Sequence, residues 1–368
     1  MRRARGTPRF VPGLELSERY YREVVRPLLD RHFPGLRYAA GLLGPGSEVL
    51  GFDTPRSADH EWGPRLLLFL PPGSPVAAPR IVEQLRHALP HSFLGYSTSF
   101  GPPDAEGTRV MLPRDIGPVD HKVTVTTVER FLDDRLGIAT VERLEPVDWL
   151  LFTEQALLEV TAGAVFHDGI GTLTRSRETL ASYPHDVWLY RLSAQWMRIS
   201  QQEPFVGRTG EVDDELGSRV VAADVVRDVM RLAFLLERRY APYSKWLGSA
   251  FARLELAPKL TPHLQKALAA NTWEAREAAL GSAYEIVAER QNALALTPPQ
   301  PATLSPFHDR PFQIIHGERF AAALHGAIRD ERVRRLPYLG GIDQFADATD
   351  LLAHARRRRT LKALYEAT

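Results

Sequence analysis

The residues with chemistry to offer stand together early in the chain. Gly44-Pro45-Gly46-Ser47 is followed, after eleven intervening residues, by Asp59-His60-Glu61, and then by the apolar run Arg65–Leu70. Glycines at 44 and 46 let backbone N–H groups approach phosphate oxygens that a side chain would keep away. Ser47 adds a hydroxyl donor, and Ser57 in the spacer is a second one. Asp59 and Glu61 are two apart, which on an extended segment places both carboxylates on one face. Two hard carboxylates side by side suit Mg²⁺, which takes oxygen ligands and keeps positions open for phosphates. The chemistry is that of a nucleoside triphosphate, with a metal clamp and in-line displacement at phosphorus. Turn glycines and solvated loop acids are the plainer reading. The arrival of all the parts in order, just ahead of a strand, weighs against it.

A sheet has to position these groups. Tyr38–Leu43 predicts a first strand ending at the glycine loop, and Arg65–Leu70 a second, buried on both faces and closed by Pro71-Pro72. His121–Thr127 alternates most clearly, with Lys122, Thr124 and Thr126 on one face. Phe93–Phe100 and Arg109–Leu112 are weaker strands. Helical spacing covers 17–33, with Ser17 as its cap and a kink at Pro27, and again 78–89. The alternation predicts a small mixed sheet flanked by helices.

From about Glu142 the pattern turns helical. Residues 148–161 form a helix, and 163–174, with Asp168-Gly169 and Ile170-Gly171, read as a hairpin or loop. A helix begins at Pro184 with Trp188 and Trp196 in its apolar face as core residues. The polar loop 201–210 carries Glu203 and Arg208. Asp213-Asp214-Glu215 cap a long helix over Gly217–Tyr240. Lys245, between aromatics after that helix, and Arg208 are candidates for triphosphate binding. Further helices are expected at 261–270, 272–295, 317–330 and 345–365, with a proline-rich strap at 297–311. The fold class is therefore α/β plus α: a mixed-sheet domain over residues 1–140, then an all-helical bundle over 141–368.

Composition narrows the partners. With 368 residues, 44% hydrophobic, 25% charged and a net charge of +1, the chain is an ordinary globular one with no overall attraction to nucleic acid or membrane. It has no cysteine, which excludes disulfides and thiolate metal sites. The basic N-terminus lacks the apolar core of a signal, and no window is long and apolar enough to span a bilayer, so a cytoplasmic protein is expected. Arg356–Arg359 read as a solvated helix face.

Gly46-Ser47 followed by Asp59-x-Glu61 resembles the signature of the DNA polymerase beta superfamily of nucleotidyltransferases. The wording around it, together with Tyr183–Tyr190, Ala241–Gly248 and Asn292-Ala293-Leu294, is similar to an uncharacterised bacterial family that joins such a half to a helical C-terminal half. Among characterised relatives the Asp-x-Glu form is similar to kanamycin nucleotidyltransferase. The resemblance implies Mg²⁺ held by Asp59 and Glu61, with an NTP, ATP by that analogy, bound at Gly46 and Ser47. The NMP group then moves to a hydroxyl of a small-molecule acceptor with release of pyrophosphate. Glu203, Asp214 or Glu215 would accept the hydroxyl proton, and a homodimer is among the implied states. The superfamily's third strand carboxylate has no counterpart at Thr124; Asp120 and Glu129 are its substitutes. The alternatives are a nucleotide-binding sensor without catalysis, or transfer onto protein or RNA.

Overall fold

A computed structural model describes residues 8–105 and 107–366. Two compact units make up the chain: residues up to Arg143 together with Ala156–Ala181, and Leu144–Gln155 together with Ser182 onward. The division differs from the break expected near residue 140. After a first excursion into the helical unit the chain returns, and residues read as a hairpin or loop form a strand of the first unit's sheet.

The strands, in chain order, are β1 (Ala39–Leu42), β2 (Arg65–Phe69), β3 (Ser92–Phe93), β4 (Tyr96–Ser97), β5 (Lys122–Thr126), β6 (Ala164–Asp168), β7 (Ser305–Pro306) and β8 (Gln313–Ile314). Four of them form the main sheet in the order β5-β2-β1-β6. β1 runs antiparallel to both β2 and β6, while β2 and β5 are parallel with Arg65 opposite Lys122. The sheet is thus mixed, as the alternation predicts. On one face Leu66, Leu68 and Val123 pack on Leu16, Tyr20, Val25, Ile81 and Leu85 from the flanking helices. On the other, Phe69 meets Phe131 edge-on at 5.5 Å between ring centres.

The first helix starts at Gly13, four residues before its expected cap. Ser17 lies inside it, fully buried, and donates its hydroxyl to the Arg65 carbonyl, tying the helix to β2. The irregularity foreseen at Pro27 is present as a π turn over Tyr21–Val25, just ahead of the proline that cannot donate to the helix ladder.

Among its described residues the second unit is helical except for the short antiparallel pair β7–β8. The expected all-helical half thus carries a small two-stranded element at the end of its proline-rich strap. Its longest helices are His185–Gln202, Glu215–Leu236 and Trp273–Ala293. Trp188 and Trp196 are core residues: Trp188 donates to the Leu235 carbonyl at 2.7 Å, and Trp196 stacks on Phe320 with ring centres 4.4 Å apart. Asp214 caps the helix at Glu215 by accepting from the Gly217 N–H at 2.8 Å. Among the described residues no helix is long and apolar enough to cross a membrane.

Candidate functional site

Register decides what the sheet gathers. The glycine loop leaves the end of β1, the acid pair precedes the start of β2, and β1 and β2 are antiparallel. Lys122 opens β5 beside Arg65. Gly44–Ser47, Asp59–Glu61, Arg65 and Lys122 therefore share one end of one sheet, all within the first unit.

Arg65 organises the loop. Its guanidinium reaches Glu48 at 2.6 Å and donates to the Pro45 carbonyl at 2.8 Å. Glu48 is buried at 3% exposure, so this pair is largely removed from water. Gly46 has φ +146°, and a Cβ there would lie 2.5 Å from Arg65 Nη2 and 2.6 Å from Glu48 Oε2. The glycine is thus needed to admit an ion pair against the loop. The Gly44 N–H is spent on the Glu159 carbonyl at 2.7 Å. The Ser47 hydroxyl has no hydrogen-bond partner among the described residues. Ser57 closes a 3₁₀ turn, accepting from the Thr54 N–H at 3.0 Å, and so serves the turn.

The acid pair differs from expectation. Asp59 ends that 3₁₀ turn (Pro55–Asp59), and the strand begins only at Arg65, so the two carboxylates do not line up on an extended strand. Asp59 is exposed and its carboxylate meets His60 Nδ1 at 2.8 Å. Glu61 sits at φ 52°, a left-handed conformation that is strained for a glutamate. One of its oxygens accepts the Arg109 N–H at 2.6 Å, and the other holds the Lys122 ammonium in an ion pair. Burial works to raise the Glu61 carboxyl, but the bonds from Lys122 and Arg109 outweigh it and hold it below its ordinary value. Burial in turn lowers Lys122, with Glu61 pulling the other way. Lys122 and Arg109 both lie within 6 Å of the Phe100 ring centre.

Among the described residues no third carboxylate joins Asp59 and Glu61. Thr124 is exposed on β5, and Asp120 is held by Arg86 at 3.2 Å and Arg114 at 2.9 Å. Glu129 stands in the first turn of the helix Val128–Leu136. Among the described residues no group of three or more side chains is arranged to hold a metal. Two carboxylates and substrate phosphates are enough for Mg²⁺ in principle, but Glu61 is already neutralised by Lys122. As it stands the cluster does not fit a free divalent cation.

Beside this pair is a cavity of about 400 Å³ that shares Phe100 and Arg109 with it and adds Ser99, Leu112, Arg114 and Asp120. Its arginines are engaged: Arg109 donates to the Gly101 carbonyl at 2.8 Å, and Arg114 to the Pro118 carbonyl at 2.6 Å.

The other sequence-derived candidates belong to the second unit. Glu203 is buried and accepts the Ile315 and Gly317 N–H groups at 2.8 and 3.0 Å; burial pushes its carboxyl up to about 7. Asp214 is the helix cap already described. Glu215 pairs with Arg276 and, at 2.9 Å, with Arg219. Arg208 lies over the Phe205 ring at 5.4 Å, and Lys245 over Trp246 at 5.1 Å. Lys122, Arg65 and Arg109 are the site residues the sequence reading did not single out. The one signal for Lys122 is a charged residue heading the polar face of an otherwise Val/Thr strand.

Residues 149–247 match a domain of unknown function, DUF4037. Among solved structures the chain is similar to a nucleotidyltransferase-like protein from Exiguobacterium sibiricum, at 11% identity and a TM-score of 0.34, over 86% of this chain and 91% of that one. That likeness assigns no residue. No curated protein matches the chain.

Proposed function

We propose that the first unit binds the phosphate chain of a nucleoside triphosphate at the sheet end described above. The observation that carries this reading is the gathering of the glycine loop, a Ser47 hydroxyl without a partner among the described residues, and the Glu61–Lys122 pair by the β1–β2–β5 register. Lys122 supplies the cation a phosphate oxygen needs, and Phe100 steadies it. Ser47 offers the hydroxyl, whereas the room at Gly46 is taken by the Arg65–Glu48 pair.

Transfer of the nucleotidyl group, from ATP to a small-molecule hydroxyl with pyrophosphate released, is the second reading. It is favoured by the position of Asp59 and Glu61 just before β2, at the sheet end where β1 delivers the loop. Glu203, Asp214 and Glu215 are committed to backbone donors or arginine, so no proton acceptor is assigned among them.

Isothermal titration with ATP, with and without Mg²⁺, tests the first reading. Saturable binding that weakens on the order of tenfold in Ser47→Ala is expected. No binding at millimolar ATP overturns it. Pyrophosphate release that disappears when Asp59→Asn is combined with Glu61→Gln establishes the second reading, and binding without release leaves a nucleotide sensor.

A further inference from the structure

We infer that Lys122 masks Glu61, so that this end of the sheet accepts a divalent cation only together with a polyanion able to take the lysine. The two groups are a contact pair, and the second oxygen of Glu61 is held by the Arg109 N–H. Each oxygen of the carboxylate thus has a partner before any ligand arrives. Arg65 does not act as a substitute mask, because Glu48 and the Pro45 carbonyl hold its guanidinium. A free cation approaching Glu61 must displace an ammonium and leave it half-buried without an anion, at a cost comparable to breaking a part-buried ion pair. A free phosphate must likewise strand Glu61. A metal-chelated polyphosphate satisfies both charges at once: its oxygens take Lys122 and its cation takes Glu61. The ligand class is therefore a metal–nucleotide complex, in preference to the bare cation or inorganic phosphate. That class rests on the nucleotide-binding reading, whereas the mask itself does not.

Mn²⁺ binding to the full chain, followed by the loss of the free-ion electron paramagnetic resonance signal without nucleotide, isolates the mask. The wild type is expected to bind weakly, Lys122→Met on the order of tenfold more tightly, and Lys122→Met with Glu61→Gln no better than the wild type. Lys122→Gln serves as a second neutral variant should the first fail to fold by circular dichroism. Equal Mn²⁺ affinity in the wild type and the neutral variants overturns the mask, as does a gain that survives Glu61→Gln. Adding ATP to the wild type should bring Mn²⁺ onto the protein. Failure of that arm alone, with the Lys122→Met gain intact, overturns the nucleotide reading and its ligand class and upholds the mask.

Discussion

Arg191 and Asp343, 152 residues apart in sequence, meet at 2.9 Å inside the second unit. Arg191 is 1% exposed and also reaches Glu154 at 3.1 Å, so one guanidinium serves two carboxylates. Gly341 makes room for it: a Cβ there would lie 1.9 Å from Arg191 Nη1. The arginine thereby fastens the C-terminal stretch to the helix His185–Gln202. Arg358, another buried arginine, repeats the device by donating to the Leu151 carbonyl at 3.1 Å.

Removing that guanidinium leaves two buried acids facing each other. Arg191→Met is expected to cost ~3–5 kcal/mol, read as a lowered midpoint in urea. Restoring neutrality with Glu154→Gln and Asp343→Asn in the same chain should recover part of it. A single variant with wild-type stability would show that the node does not hold the unit together.

Gly46→Ala should be costly out of proportion to its size. Its φ of +146° and the contacts at 2.5 and 2.6 Å mean that either the loop or the Arg65–Glu48 pair must move. A loss of ~1–3 kcal/mol is expected, along with weakened ATP binding. Ala at this position with unchanged melting and binding would show that the loop has slack.

Glu203 gives the second unit a pH dependence of definite sign. Its folded-state carboxyl titrates at about 7 against an ordinary 4.5, because burial disfavours the charge. The native form therefore holds a proton that the unfolded chain gives up, and stability falls as pH rises from about 4.5 through 7. At ~1.4 kcal/mol per pKa unit the loss approaches ~3 kcal/mol. Glu154, also raised by burial and partly held down by Arg191, adds to the same slope. Urea midpoints at pH 5 and pH 8 should differ less in Glu203→Gln than in the wild type. An identical difference would mean that Glu203 is not the group titrating.

Tyr190→Phe probes the C-terminal fastening without disturbing charge. The hydroxyl donates to the Pro337 carbonyl at 2.5 Å and accepts from the Gly340 N–H at 3.1 Å. Its loss should cost ~1–2 kcal/mol and increase hydrogen exchange at Gly340. Unchanged exchange there would count against the contact.

Local pattern made much of the fold legible. β2 and β5 are the apolar run and the alternating run, the helix expected over 272–295 spans Trp273–Ala293, and Trp188 and Trp196 lie in the core. β6 was not legible. Every one of its residues is half-buried, so it shows no alternation, and it exists because β1 offers it an edge more than a hundred residues away. The site divides the same way. The glycine loop and the acid pair can be read as words in the chain, whereas the partners that set their charge cannot. Lys122 reaches Glu61 across 61 residues, and Arg65 turns back onto Glu48 across 17. Pairings of that range follow from strand register, which a single sequence does not display.

The late return of β6 to the first sheet sets a rule for cutting this chain. A fragment stopped at Arg143 would carry β1 with its outer backbone groups bare, an open edge ready to recruit a neighbour's strand. During synthesis the same edge waits until residue 168 has emerged. Clumping of such a truncation, cured by extending it to Ala181 with the intervening helix retained, is the behaviour this interleaved topology dictates.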